Sequence, residues 1–134
     1  MANDLYQKQI IELARDSRKR SRIDNPDTTI RFDNPLCGDR IDIDLSMKEG
    51  RLSDIGFKVR GCALCEAASE ILARNAVGCE LQELNTVGSK LSDYLAGSID
   101  TLDWEGLEVF EPVKSVPPRH ECVLLPFNAV KKAV

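Results

Sequence analysis

Residues 40–46 alternate without a break. Ile41, Ile43 and Leu45 take one face, and Asp42, Asp44 and Ser46 take the other. A period of two over that length specifies a half-buried strand with an acidic outer face. Lys48-Glu49-Gly50 then supplies turn residues, and Ile55, Phe57 and Val59 alternate with Gly56, Lys58 and Arg60. Two strands joined by so short a turn pair antiparallel. Lys58 and Arg60 are expected opposite Asp42 and Asp44 on the wet face, where unlike charges help to set register. Thr28–Asp33, which opens with Thr28, Thr29 and Ile30, reads as a third strand.

The flanks read as helical. Leu5, Tyr6, Ile10, Leu13, Ala14 and Ser17 form one stripe of a helix over 4–20. Cys62–Asn75 is Ala-rich, and Gly78 is placed to end it. Leu81–Leu84, Ser89–Leu95 and Glu105–Phe110 read as three shorter pieces. Pro112, Pro117 and Pro118 precede a last helix over 119–133, in which Pro126 is expected to cause a bend. Strands followed by helices predict an α+β fold: a three-stranded antiparallel sheet with helices packed on one face. With 134 residues the chain is long enough for one domain, 1–134, with its own core.

Charge and composition exclude several classes of function. The net charge is −4 and aromatic residues make up 5%, which argues against nucleic-acid binding. No stretch approaches the roughly 20 apolar residues of a membrane span. The start, Met1-Ala2-Asn3-Asp4-Leu5, lacks the charged-then-apolar pattern of an export signal, so a cytoplasmic location is expected. Residues 1–22 hold six Lys/Arg against three Asp/Glu, whereas the remainder holds twelve against nineteen. The run from Arg15 to Arg22 reads either as a docking patch for an acidic partner or as a solvated helix end favoured by the dipole.

Five cysteines is an odd count, without the dense even spacing of a disulfide scaffold. Thiols in that setting are more often metal ligands or nucleophiles. Cys37 lies in Asn34-Pro35-Leu36-Cys37-Gly38-Asp39, in the turn between the first two strands. Gly38 supplies backbone freedom there, and Asp39 is two residues on. Cys62 follows Gly61 at a helix start, where the positive end of the dipole stabilises a thiolate. Cys122 sits near the start of the last helix. These positions can converge at one end of the sheet. Any one of the thiols alone reads as a small buried hydrophobe, as Cys79 does. Together with Asp39 they match a tetrahedral thiolate-rich site.

Cys62-Ala63-Leu64-Cys65 adds a C-x-x-C at a helix N-terminus. Three residues on a helix turn through about 300°, so both sulfurs share a face. Cys65 reads as a packed thiol near the site, a reserve ligand or persulfide acceptor, or half of a redox pair.

The series Cys37-Gly38-Asp39, Gly61-Cys62-Ala63 and Cys122, in that order, resembles the U-type iron–sulfur cluster assembly proteins, the IscU/SufU/NifU N-terminal family. The resemblance runs from about Leu5 to Val134. It implies a site of Cys37, Asp39, Cys62 and Cys122 holding zinc, iron or a transient [2Fe–2S] cluster. It implies that Cys122 accepts a persulfide beside Arg119. It further implies a cysteine desulfurase, docked where the cysteines converge, and apo iron–sulfur proteins or other assembly factors as partners, with no membrane. The family usually carries a small hydroxyl residue at the position of Cys65. Its IscU type places a histidine directly before the third cysteine. Here Glu121 fills that slot, and His120, about 200° from Cys122 on a helix, is expected to point away.

Arg119 and the sixty-residue gap between Cys62 and Cys122 resemble the SufU type, with an insertion at about Val87–Leu107. The Leu-Pro-Pro-Val-Lys motif of IscU-type proteins is absent, and Pro112-Val113-Lys114 is its nearest echo. The expected function is that of a scaffold and/or zinc-bound sulfur acceptor, a sulfurtransferase rather than a turnover enzyme. Two other classes remain open: a thiol redox protein using Cys62 and Cys65, and a structural-zinc domain without chemistry.

Overall fold

The computed structural model describes residues 2–35 and 38–133. Helix α1 (Ala2–Ser17) leads into strands β1 (Thr28–Asp33), β2 (Arg40–Lys48) and β3 (Arg51–Arg60). Helices α2 (Ala63–Ala76) and α3 (Leu81–Leu95) follow. Two 3₁₀ segments, Leu107–Ser115 and Pro117–Arg119, then run into α4 (His120–Lys131). The strands form an antiparallel sheet in the order β1-β2-β3.

The alternation in β2 sorts the sheet's two faces. Ile41, Ile43 and Leu45 are 0–1% exposed, and Phe57 and Ile55 stand opposite Ile43 and Leu45. This face packs against helices: α2 contacts β3, α4 contacts β1 and β2, α1 lies on α2, and α3 lies on α4. One cluster of buried side chains joins all of these elements. At about 25 cal/mol per Å² of apolar surface, each fully buried Leu or Ile contributes roughly 1.5–3 kcal/mol before entropy is counted.

Three local expectations are corrected. Leu81–Leu84 and Ser89–Leu95 belong to one continuous helix rather than two pieces. Gly88, which looks like a breaker, instead lets α4 come close: a Cβ there would lie 3.1 Å from Phe127 Cβ. On the outer face Asp42 does stand opposite Lys58, but Asp44 stands opposite Gly56 and Arg60 opposite Arg40. The ion-pair partners come from elsewhere. Arg31 donates to Asp42 at 2.7 Å, and Arg22 donates to Asp44 at 2.6 and 2.9 Å.

The third correction concerns the basic run, which lies mostly beyond the helix rather than forming its end. Helix α1 ends at Ser17, and residues 18–23 form a strap whose arginines reach carboxylates inside the molecule. Arg18 forks onto Glu66 at 2.7 and 2.8 Å, and Arg20 forks onto Glu70 at 2.6 and 3.0 Å. Glu70 is 3% exposed and also accepts from Arg74 at 2.8 Å. The strap starts beside the helices and ends on the outer face of the sheet, passing around β3. Gly56 makes room for it, because a Cβ there would sit 2.6 Å from the Ser21 carbonyl oxygen. Burial makes the carboxylates expensive alone, so the planar guanidinium forks are what make them tolerable on α2.

Candidate metal centre

The site forms where the β1–β2 turn, the start of α2 and the start of α4 meet. The turn is closed by two backbone bonds: Gly38 N–H donates to the Asn34 carbonyl at 2.9 Å, and Asn34 N–H donates to the Asp39 carbonyl at 2.8 Å. This sets Asp39 at the mouth of the sheet with 9% exposure. Cys37, expected as a ligand, lies outside the described residues. Gly61 permits the next contact, since a Cβ there would fall 2.9 Å from Asp39 Cγ.

Cys62 is the N-cap residue of α2, with extended backbone, and Cys65 is the third residue of the helix. Cys122 lies in the first turn of α4 at 7% exposure. One donor atom each from Asp39, Cys62, Cys65 and Cys122 fall within 4.8 Å of one another. Cys65 Sγ donates to Asp39 Oδ2 at 2.9 Å, and the Cys62 and Cys65 sulfurs are 3.8 Å apart. Tetrahedral zinc with bonds of about 2.3 Å to sulfur spans about 3.8 Å between sulfurs, so the donor set fits a thiolate-preferring metal.

The electrostatics divide the two thiols of the C-x-x-C. The Cys65 side chain, and the backbone N–H groups of Cys65 and Leu64, stabilise Cys62 as a thiolate, bringing it from the usual 9.0 to about 6. The hydrogen bond with Cys62, then burial and the hydrogen bond to Asp39, push Cys65 upward, so it stays a thiol that donates. Cys62 is the more exposed of the pair.

The other expected residues fall outside the cluster. Arg119 is exposed on an apolar groove with Ala63, Leu64 and Val116, and among the described residues no ion pair of its side chain is formed. His120 is turned away, its Nε2 lying 3.0 Å from the Val113 carbonyl and 3.2 Å from that of Lys114. Cys79 Sγ faces the Asn75 carbonyl at 3.5 Å, remote from the others. Helix α4 runs through Pro126. Cys65, left on the sequence between a packed thiol, a reserve ligand or persulfide acceptor and half of a redox pair, joins the cluster, and the C-x-x-C spacing had already signalled that its sulfur would share a face with that of Cys62.

The cysteine–carboxylate cluster and the α+β frame coincide with a match to the NifU-like N terminal domain over residues 5–134. The chain belongs to that family. Its NifU-like frame is shared with the solved N-terminal NifU-like protein of Brucella abortus, at TM-score 0.85 and 30% identity, over 97% of this chain and 92% of that one. The chain is 24% identical to the zinc-dependent sulfurtransferase SufU of Bacillus subtilis, over 97% of this chain and 89% of that protein. It is 25% identical to the iron-sulfur cluster assembly scaffold protein IscU of Streptococcus pyogenes, over 98% of this chain and 84% of that protein. No helix among the described residues of this NifU-like chain is long and apolar enough to cross a membrane.

The contact of Gly61 with Asp39 gives a direct test of the geometry. Gly61→Ala should push Asp39 off the cluster and weaken zinc binding by about tenfold or more, the scale of lost ligand support. A competition titration with a chromophoric chelator would measure it. Unchanged affinity would mean that Asp39 does not serve the site.

Proposed function

We propose that this NifU-like chain works in iron–sulfur cluster assembly, taking sulfur from a cysteine desulfurase and passing it, or a nascent cluster, to apo proteins. The supporting observation is the convergence of Asp39, Cys62 and Cys122 from three separated segments onto one point. In this reading Cys37, Asp39, Cys62 and Cys122 hold zinc or the cluster, and the compartment is the reducing cytoplasm. Bound zinc would supply Lewis acidity and keep its thiolate ligands deprotonated.

The chain's own residues do the rest. Cys122 accepts the sulfane sulfur as a persulfide, and Arg119, three residues before it, approaches the incoming partner as a cation over the apolar groove. Asp39 is a harder and more labile donor than the thiols, so it eases exchange. Near-complete burial of Cys122 keeps bulk water and stray oxidants from its sulfur.

Incubation with a desulfurase and cysteine, followed by peptide mass spectrometry, should place one extra sulfur on Cys122. Cys122→Ser should lose stimulation of the desulfurase, while Cys65→Ser keeps most of it. The 3.8 Å approach of Cys62 and Cys65 favours one second reading, a thiol redox protein. Full stimulation by Cys122→Ser, with none by Cys65→Ser, would select that reading instead.

A further inference from the structure

Cys65 is the buried thiol that the proposed site leaves idle. It is 0% exposed, yet its sulfur has no purely apolar surroundings. It contacts Asp39 Oδ2 at 2.9 Å and Cys62 Sγ at 3.8 Å, and Cys122 Sγ lies within 4.8 Å. Its position is also stiff. Cys62 caps α2 and Cys65 is its third residue, while Arg18 and Arg20 grip Glu66 and Glu70 on the same helix. A half-exposed thiol three residues before a buried one, at a helix start, is the geometry in which a buried sulfur resolves what the outer sulfur has captured.

We propose that Cys65 is a resolving thiol that discharges a persulfide held in this site as sulfide, leaving a Cys62–Cys65 disulfide. The proposal rests on the reading of the site as a persulfide acceptor. A persulfide carries its outer sulfur at the zero-valent level, and two electrons are needed to make sulfide. The outer sulfur first moves from Cys122 to Cys62: the Cys62 sulfur attacks it, the bond to Cys122 breaks, and Cys122 leaves as a thiolate with no net redox change. Cys65 then attacks Cys62 Sγ, its proton passing by way of Asp39 Oδ2 to the outer sulfur. The Cys62–Cys65 bond forms, the bond to the outer sulfur breaks, and that sulfur leaves as HS⁻. Two thiols are oxidised to one disulfide and one sulfane sulfur is reduced to sulfide. A dithiol reductant afterwards restores both thiols. Attack falls on the inner sulfur because Cys62 Sγ is the atom held beside Cys65.

The test uses the full chain, stripped of metal and loaded anaerobically with inorganic polysulfide, with excess reagent removed and no reductant present. Wild type should release about one sulfide per persulfide, and the peptide map of the same sample should show the Cys62–Cys65 disulfide. Cys65→Ser should hold its sulfane sulfur and release sulfide at least about tenfold more slowly, while Cys79→Ser matches wild type. Sulfide release from Cys65→Ser at the wild-type rate would overturn the proposal. So would a wild-type protein that keeps its persulfide and forms no disulfide, a result that does not depend on how the variant folds. Loading by a desulfurase and cysteine forms the second arm. Failure there, with discharge of polysulfide-derived sulfur intact, would remove the desulfurase from the functional reading and still support the role of Cys65.

Discussion

The Cys62→Ser protein should bind zinc more than about 100-fold more weakly than wild type, beyond the 10–100-fold typical of losing a supporting residue. Cys62 is held as a thiolate at the start of α2, and Ser offers a hard, neutral oxygen in its place. Its side chain makes no helix-capping bond, so α2 should survive and far-UV circular dichroism should stay unchanged. Asp39→Ala should also stay folded, with a smaller loss of affinity and slower exchange. Metal analysis after exhaustive dialysis decides the matter: stoichiometric zinc retained by both Cys37→Ser and Cys62→Ser would refute the site. Because the donors tie the β1–β2 turn to α2 and α4, zinc at about 100 times its Kd should add roughly 2.7 kcal/mol to stability.

The second large effect should come from the strap. Arg22→Ala leaves Asp44, 1% exposed, with only Thr29 Oγ1 at 2.7 Å and the Ile23 N–H at 3.1 Å. Removing one partner of a buried pair costs about 3–5 kcal/mol, and partial exposure of Arg22 brings the expected loss to roughly 2–3 kcal/mol at pH 7. The pH dependence has a definite sign. Arg22 holds the Asp44 carboxyl below its ordinary value, overcoming burial with help from Thr29 and Ile23, and Arg31 does the same for Asp42. A carboxyl depressed in the folded state contributes fully above its unfolded pKa of about 3.9, and the contribution is lost as pH falls through the folded value. The gap between wild type and Arg22→Ala should therefore narrow below about pH 4. Urea melts at pH 7 and pH 3 with the same gap would remove Arg22 as the cause.

The sheet was legible because burial on one face alone forces a period of two. Ile41, Ile43 and Leu45 announced the core face, and Lys48-Glu49-Gly50 announced the hairpin. The cysteine contexts likewise located Asp39, Cys62 and Cys122 at turns and helix starts. The misreadings have physical causes. Leu81–Leu84 and Ser89–Leu95 read as separate pieces because a glycine of low helix propensity lies between them, whereas packing against Phe127 decides the place of Gly88. The arginines of residues 18–22 were read as surface charge because their partners, Glu66, Glu70 and Asp44, lie 22 to 50 residues away. Nothing local in Glu66 and Glu70 distinguishes a buried glutamate from an exposed one. Cys65 was ambiguous for a related reason: spacing puts its sulfur on the face of Cys62, but only the turn that carries Asp39 shows what that face meets.

The course of the strap bears on how this molecule behaves in a crowd. β3 is an outermost strand of ten residues, and such a strand offers unpaired backbone groups on which a strand of another chain can grow. Residues 18–23 run around it, clamped by arginine forks on both sides and seated against Gly56. The segment that looked like a handle for partners therefore also lies across an edge on which a foreign strand would otherwise have room to grow.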